Sequence, residues 1–222
     1  MNVKPTIICR FVFLAIAGSF ASITFQPVLA GDAIDPARAT SRDGSPLLWY
    51  DLQLLDIEGK GWTETKSFYD RLPKKAETLV RSPVWSLSHH SAGLCARFFT
   101  DAKEIHASWQ LTSKNLAMPH MPATGVSGLD LYVKTNDGQW RWLAVGRPTA
   151  QNNTTRLVTG IPPGRREFML YLPLYNGVRS VEIGIPKGAE LSKADSRGPG
   201  REKPIVFYGT SITQGGCASR TG

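Results

Sequence analysis

The sequence predicts a mainly β protein in which an antiparallel β-sandwich or jelly roll is followed by the first strand of an α/β domain. Two observations predict the sandwich. Short segments alternate apolar and polar residues between positions 49 and 185, and turns rich in Gly, Pro and Asn separate them. A third observation predicts the second domain, because a short apolar run near position 205 shows no alternation.

The clearest strands lie in the middle of the chain. Residues 104–111 alternate apolar with polar side chains, as a strand with one buried face requires. Residues 129–134 do the same and run into Asn136-Asp137-Gly138, a strong hairpin-turn sequence. The other strand candidates are residues 49–57, 84–88, 93–99, 139–145, 156–159, 167–172 and 180–185. The six tryptophans of the chain offer large apolar surface for the core of such a sandwich.

The first thirty residues have the pattern of a cleavable export signal. Lys4 and Arg10 are basic, residues 11–25 are apolar apart from small side chains, and Val28-Leu29-Ala30 suits a signal peptidase. The alternative is a membrane anchor, but an apolar core of about 15 residues is short for a span that needs about 20. We therefore expect cleavage near Ala30, a periplasmic or extracellular location, and no membrane contact afterwards.

The domain organisation follows from changes in composition. Residues 31–186 carry the sandwich pattern, and residues 187–203 are rich in Gly, Lys, Arg, Ser and Asp, which is typical of a linker. Residues 204–222 begin with an apolar run that predicts a strand buried on both faces. One strand with its loop cannot bury a core, so we expect this second domain to be incomplete in these 222 residues.

Charge and cysteine content favour neither nucleic acid nor metal as a partner. The net charge is +8, but the basic residues are scattered among acids, without a basic run or zinc-finger spacing. Cys9 lies in the signal segment, and Cys95 lies in an apolar run typical of a small buried residue. Cys217 lacks a local base or metal-ligand partner, so we expect it to be a small packing residue. Two cysteines could pair after export, although they form no disulfide framework. We expect no metal and no cofactor.

The residue most suggestive of chemistry is Ser211. It follows the predicted buried strand, and such strand ends are where open α/β sheets place their active sites. Gly209 permits close approach of backbone or substrate, and a turn into a following helix can aim N–H groups at an oxyanion. A serine hydroxyl also needs a histidine to take its proton. On these grounds alone, an ordinary turn serine remains the alternative.

Two segments resemble one known architecture. Residues 208–220, beginning Tyr208-Gly209-Thr210-Ser211, resemble the first block of the SGNH (GDSL-like) hydrolases, and residues 121–132, ending Gly128-Leu129-Asp130-Leu131-Tyr132, resemble the Gly-x-Asp-Leu-Tyr motif of the domain that precedes it. The resemblance implies a flavodoxin-like catalytic domain after the sandwich. It also implies that Ser211 is the acylated nucleophile and that its backbone N–H is an oxyanion donor.

The resemblance also implies what is missing. The other oxyanion donors and the Asp-x-x-His of the family lie in later blocks that have no counterpart in the 222 residues. All four histidines, at positions 89, 90, 106 and 120, precede Ser211, whereas the family's catalytic histidine follows the serine. We therefore expect this polypeptide alone not to turn over.

Three further positions carry hypotheses with open alternatives. His120 lies in a Met- and Pro-rich loop that we expect to lean over the Ser211 cleft and bind substrate with Gly209 and Thr210. A loop packed on its own sandwich is the alternative. Asp130 and Tyr132 share one strand face and suit an interface with the catalytic domain, or else simply face solvent. We expect His106 to be solvated and His89-His90 to form a turn.

The predicted function is that of an exported esterase that hydrolyses carboxylic esters through an acyl-serine. Small acyl esters or O-acylated carbohydrates are the expected substrates, by analogy with two-domain carbohydrate esterases. The rival is a carbohydrate-binding sandwich without catalysis. A planar row of exposed Trp or Tyr would favour that rival, whereas a sheet face closed by Asp130, Tyr132 and the His120 loop would favour a domain interface.

Overall fold

The computed structural model describes residues 31–197 and 205–222, and these residues form two antiparallel sheets that enclose one core. The predicted mainly β sandwich is therefore confirmed. The predicted signal segment, residues 1–30, lies outside the described residues. Those that are described contain three short α-helices: α1 (Ser82–Ser88), α2 (Ala123–Val126) and α3 (Ser211–Gln214). Three 3-10 helices span Pro36–Arg38, Leu52–Leu54 and Lys74–Thr78.

The strands divide into a sheet of five and a sheet of six. In chain order they are β1 (Thr40–Ser41), β2 (Leu47–Asp51), β3 (Ile57–Glu58), β4 (Cys95–Thr100), β5 (Glu104–Leu111), β6 (Leu129–Lys134), β7 (Trp140–Gly146), β8 (Asn152–Thr159), β9 (Arg166–Tyr171), β10 (Val178–Pro186) and β11 (Leu191–Lys193). The first sheet has the order β1-β2-β10-β5-β8, and the second has the order β11-β4-β9-β6-β7 with β3 also paired to β4. Because chain neighbours often lie in different sheets, the chain crosses repeatedly between the layers.

The core lies between the inner faces of the two sheets. Along β5 the side chains alternate between buried and half-buried, as its sequence pattern predicts. Trp109 of β5 is buried, and its indole Nε1 donates to the Ser127 carbonyl at 3.2 Å. Within the second sheet, Phe98 of β4 lies opposite Phe168 of β9, and their buried rings stack with centroids 5.6 Å apart. Each sheet therefore buries one apolar face against the other.

The hairpin predicted at residues 136–138 joins β6 to β7. The Gly138 N–H donates to the Thr135 carbonyl at 2.8 Å, and Gly138 has φ +80°. Such a left-handed conformation favours glycine, which has no Cβ to clash. The turn therefore has the backbone geometry that its sequence indicates.

One predicted strand is a helix. Residues 84–88 belong to α1, which begins at Ser82 with Pro83 in its first turn. Proline fits that position because its ring fixes a helical φ and the missing N–H would have no partner there. The strand expectation for residues 84–88 was therefore wrong.

The segment after Pro186 also differs from expectation. Residues predicted as linker contribute strand β11, whose register pairs Leu191 with Thr100 of β4. The apolar run Ile205–Tyr208 is not in a strand, and its side chains are about 80% exposed. No described strand lies beside this run, and a strand without a hydrogen-bonded neighbour gains no sheet energy. The predicted buried strand is therefore not formed among these residues.

Two expectations about aromatic side chains also need correction. Only Trp49 and Trp109 are fully buried, whereas Trp62 and Trp142 are 47% and 44% exposed, so the tryptophans do not fill the core as a set. His106 is half-buried rather than solvated. Its ring lies edge-on to Trp49, with centroids 6.3 Å apart.

Candidate active site

Ser211 is the first residue of α3, and the local sequence sets both ends of that helix. Thr210 is the N-cap, and its hydroxyl accepts from the Ile212 N–H at 3.4 Å. Gly215 ends the helix with φ +97°, the left-handed conformation that commonly terminates helices. The Gly216 N–H then donates to the Ser211 carbonyl at 2.7 Å. The chain therefore makes a compact turn that begins at the serine.

The side chain of Ser211 is accessible at the start of this turn. Ser211 is exposed, and neither its hydroxyl nor its N–H makes a hydrogen bond to another described residue. A Cβ at position 209 would lie only 2.2 Å from the Thr213 hydroxyl oxygen. Glycine at position 209 thus lets Thr213 pack against the backbone that precedes the serine, while the Ser211 hydroxyl and N–H make no hydrogen bond to a described residue.

The helix rests on a loop of the sandwich that follows β9. The Tyr175 hydroxyl donates to the Ser211 carbonyl at 3.0 Å, and the Gln214 side-chain amide donates to the Leu174 carbonyl at 3.0 Å. A Cβ at Gly215 would meet a Leu174 methyl at 2.7 Å, so the two backbones approach closely. The orientation of the Ser211 turn therefore depends on residues about forty positions upstream.

His90 also contacts α3. The Gln214 amide nitrogen lies 3.1 Å from His90 Nδ1, which must accept if the amide donates. Burial, together with the charges of Arg71 and His89, lowers the pKa of His90 to about 4. The imidazole is therefore neutral near pH 7, which suits its role as an acceptor. Sequence reasoning assigned residues 89–90 only a turn, which they form at the end of α1.

A second set of contacts holds residues 218–222, which we call the anchor segment. The buried Asp130 carboxylate accepts from the Thr221 and Gly222 N–H groups, both at 3.0 Å, through one oxygen. Its other oxygen accepts from the Trp142 indole at 3.3 Å. The Arg220 guanidinium lies 4.6 Å from the centroid of the Trp142 ring.

Helix α2 lies against the same segment. The Thr124 hydroxyl donates to the Ser219 carbonyl at 2.6 Å. A Cβ at Gly125 would lie 2.2 Å from the Ala218 carbonyl oxygen, so only glycine allows this approach. The anchor segment thus contacts the sandwich along its whole length, with hydrogen bonds at Ser219, Thr221 and Gly222.

The remaining predicted site residues lie around this contact. Tyr132 is half-buried, and its ring lies edge-on to Tyr171, with Gly222 against both rings. His120 is exposed and makes no hydrogen bond to a described residue. Its loop is closed by Met118 and Met121, whose backbones pair, and Met121 packs in a small cluster that Ala218 also joins. The His120 loop therefore borders the anchor segment.

The other candidate groups make no hydrogen bond to Ser211. His89 Nδ1 lies 2.9 Å from the Asp70 carboxylate, and His106 lies on β5. Both Cys95 and Cys217 are free thiols. Burial raises the pKa of Cys95 to about 12, consistent with a packing role. Cys217 is exposed with φ +65°, so the expectation that it packs was wrong.

Sequence reasoning missed Tyr175 and His90 as contacts of the serine turn, Gln214 as the turn residue that His90 contacts, and Thr124 as a contact of the anchor segment. Tyr175 precedes Asn176-Gly177, a turn dipeptide, but nothing in the sequence marks its hydroxyl as a donor to a residue 36 positions away. Within residues 31–197 and 205–222, no three His, Cys, Asp or Glu residues form a group that could hold a metal ion. None of the helices in these two ranges has the length and apolar character that crossing a membrane requires.

Comparisons with known proteins define the class to which this arrangement belongs. Residues 47–191 match the GxDLY family, described as the N-terminus of the SGNH-hydrolase type of esterase, and residues 202–222 match a GDSL-like lipase/acylhydrolase family. Since the first match covers more than half of the chain, this protein belongs to the GxDLY family, and the resemblance seen in the sequence is confirmed. A comparison with curated proteins finds no match.

Two solved structures are similar to this chain. One is a Bacteroides ovatus ATCC 8483 protein whose assignment as a GDSL-like lipase is provisional, with 31% identity and a TM-score of 0.63 over 67% of this chain. The other is the salicylyl-acyltransferase SsfX3 of a tetracycline biosynthetic pathway, with 17% identity and a TM-score of 0.42 over 76% of this chain. The match spans 43% of the length of each of these two proteins.

Proposed function

We propose that this protein is a serine hydrolase of carboxylic esters that works through an acyl-serine on Ser211. The observation that carries the proposal is that Ser211 is exposed and has no hydrogen-bond partner for its hydroxyl or its N–H among the described residues. Its hydroxyl and N–H are both free and exposed at the start of α3, within a segment that matches a GDSL-like family. The esterase-type family of the preceding domain supports the same conclusion.

The chemistry follows from these two free groups. The Ser211 hydroxyl oxygen attacks the ester carbonyl carbon, and the Ser211 N–H donates to the oxyanion that forms. The alcohol then leaves with a proton, and water releases the acid from the acyl-serine. Gly209 and Thr210, the two exposed residues that precede the serine, would contact the acyl group. These steps need neither a metal nor a cofactor.

The base that takes the serine proton is not among the four histidines of these 222 residues. His90 uses Nδ1 for Gln214, and the Ser211 hydroxyl has no hydrogen bond to any described histidine. A serine hydroxyl is a weak nucleophile without a paired base. We therefore propose that the 222-residue polypeptide does not hydrolyse esters by itself. In an active enzyme, the catalytic histidine and its acidic partner would come from residues after Ser211.

The substrate and location remain parts of the proposal. The basic and apolar pattern of residues 1–30, followed by Val28-Leu29-Ala30, supports export with cleavage near Ala30. An exported esterase meets acylated polymers, so we propose short acyl groups on carbohydrates as substrates. His120, on the loop that borders the anchor segment, is the sandwich residue that we propose to contact such a substrate.

The second candidate is a carbohydrate-binding module, which the exposed Trp62 favours. Trp62 lines a cleft with Lys60, Glu64 and Lys75, where an indole face could stack on a sugar. The other exposed tryptophan, Trp142, offers less support for a sugar site, because the Arg220 guanidinium lies over one face of its ring. Binding to soluble acylated xylan and to soluble deacylated xylan tests this candidate. A carbohydrate-binding module should bind both forms, and a Trp62→Ala variant should lose that binding.

A fluorophosphonate probe tests the esterase proposal directly. The protein to use contains residues 31–222 together with the later histidine block of the family. We expect mass spectrometry to find the adduct on Ser211, and Ser211→Ala to abolish it. Ser86→Ala is the matched control, since Ser86 is exposed on α1 and its replacement should leave labelling unchanged. An adduct on another residue, or none, would refute the proposal.

A further inference from the structure

The turn that presents Ser211 cannot hold its own shape. Helix α3 has four residues, and isolated helices shorter than about 12–15 residues are marginal in water. The run before it, Ile205–Tyr208, has no strand partner among the described residues. The orientation of Ser211 must therefore come from contacts outside the turn.

Asp130 supplies the contacts downstream of the serine. A buried carboxylate is costly unless hydrogen-bonded, and here its three donors are the N–H groups of Thr221 and Gly222 and the indole of Trp142. Two of the three come from the anchor segment. Losing that segment would leave one oxygen of a fully buried carboxylate without a donor. Because an unpaired buried acceptor costs free energy, the burial of Asp130 favours the bound position of the anchor segment.

Tyr175 supplies the contact at the serine itself. Its hydroxyl donates to the Ser211 carbonyl, which also accepts from the Gly216 N–H. These two bonds fix the peptide plane that follows Ser211. The side chain and N–H of Ser211 lie on the other side of its Cα, so a change in that plane reorients both. A displacement of about 1 Å in a reacting group can cost about a hundredfold in rate.

From these contacts we propose that the β-sandwich positions the nucleophile, and that Asp130 and Tyr175 are its positioning residues. The consequence for catalysis rests on the proposed esterase function, whereas the anchoring itself does not. The domain is then a scaffold that holds the start of the catalytic domain by hydrogen bonds to backbone, rather than a separate module tethered by a linker. Thr124, which bonds to Ser219, belongs to the same set.

The anchoring is tested first, without any substrate. Amide hydrogen exchange is followed by NMR in the 222-residue chain and in its Asp130→Asn variant. Because bonds to a charged acceptor are lost, we expect the Thr221 and Gly222 amides to exchange at least about tenfold faster, while those of β5 stay unchanged. Asp43→Asn is the matched control, since Asp43 is exposed and has no hydrogen bond or ion pair to a described residue. Equal exchange in the Asp130 and Asp43 variants would overturn the proposal.

Positioning is tested next, in the polypeptide that also carries the later histidine block. Tyr175→Phe should lower kcat about fivefold, with KM unchanged, because it removes one neutral hydrogen bond. Tyr50→Phe is the control, since the buried Tyr50 hydroxyl has no hydrogen-bond partner among the described residues. A Thr124→Val variant should lose activity, and Thr124→Ser should restore it. Unchanged kcat in Tyr175→Phe would overturn the positioning role.

The two proposals fail in different ways. If wild-type protein takes no fluorophosphonate label at Ser211, the esterase proposal fails, and the amide-exchange experiment alone decides whether the sandwich anchors the turn. If labelling occurs at equal rates in wild type, Asp130→Asn and Tyr175→Phe, the esterase stands and the positioning role is refuted.

Discussion

The charged cluster around Arg97 offers the sharpest test of how the sandwich is stabilised. Arg97 lies on β4 with its side chain 14% exposed, and its Nε donates to Glu58 at 2.5 Å. The guanidinium also bonds to the buried Glu167 and donates to the Asp195 carbonyl at 3.0 Å. One arginine therefore links β3, β4, β9 and the segment after β11.

Replacing Arg97 with Met keeps the apolar stem and removes the charge. Breaking a buried ion pair costs about 3–5 kcal/mol because the partner is left uncompensated. Here Glu167 keeps Lys134 at 2.8 Å and Glu58 keeps Arg197, so we expect a loss of about 2–3 kcal/mol. For a domain of this size each kcal/mol shifts Tm by about 2–4 °C, which gives a drop of about 4–12 °C.

Thermal unfolding followed by circular dichroism measures this shift. The matched control is Lys66→Met, which breaks an ion pair to Glu77 at 3.1 Å whose side chains are 50% and 41% exposed. Exposed pairs contribute less than about 1 kcal/mol, so its Tm should fall by no more than about 2–4 °C. Equal shifts in Tm for the two variants would show that burial does not determine how much the ion pairs of Arg97 contribute to stability.

Three further predictions follow from burial and close contact. At pH 8, iodoacetamide should alkylate the exposed Cys217 and leave Cys95, whose pKa is about 12, unmodified in peptide mapping; equal modification would contradict the fold. The His90 pKa of about 4 lies below its unfolded value of 6.5, so the unfolded chain binds more protons and stability should fall as the pH drops from 6.5 to 4. Urea titrations of a His90→Asn variant should show a smaller fall in the free energy of unfolding between pH 6.5 and pH 4 than wild type shows. An unchanged fall would refute the assignment of this pH dependence to His90. Gly184→Ala places a Cβ 2.9 Å from a tryptophan ring and should cost about 1–3 kcal/mol, whereas Gly61→Ala, with open space around it, should cost much less.

The architecture of the sandwich was predictable because its evidence is local. Alternation along residues 104–111 reflects one buried face of a strand, and a turn such as 136–138 needs its glycine wherever it occurs. Helix α1 shows the limit of this reasoning. A short apolar run fits strand or helix equally well, and Pro83 was the local sign that favoured a helix.

The local chemistry of the candidate site was also present in the sequence. Thr210 and Gly215 define the ends of α3 through their own side-chain and backbone properties, so the exposed position of Ser211 follows from its neighbours. The resemblance to the first hydrolase block rests on the same contiguous stretch, residues 208–220. What these neighbours could not specify is the direction in which the turn points.

That direction was decided by the tertiary structure alone. Asp130 meets Thr221 across 91 positions, and His90 meets Gln214 across 124. Hydrogen bonds between such distant residues leave no periodicity or spacing in the sequence, because they depend on which strand ends the sheet order brings together. The sequence by itself therefore determined a sandwich and an exposed serine turn. From the sequence, Asp130 could equally well face solvent. Only the tertiary structure decided that it is buried beneath the segment that follows the serine.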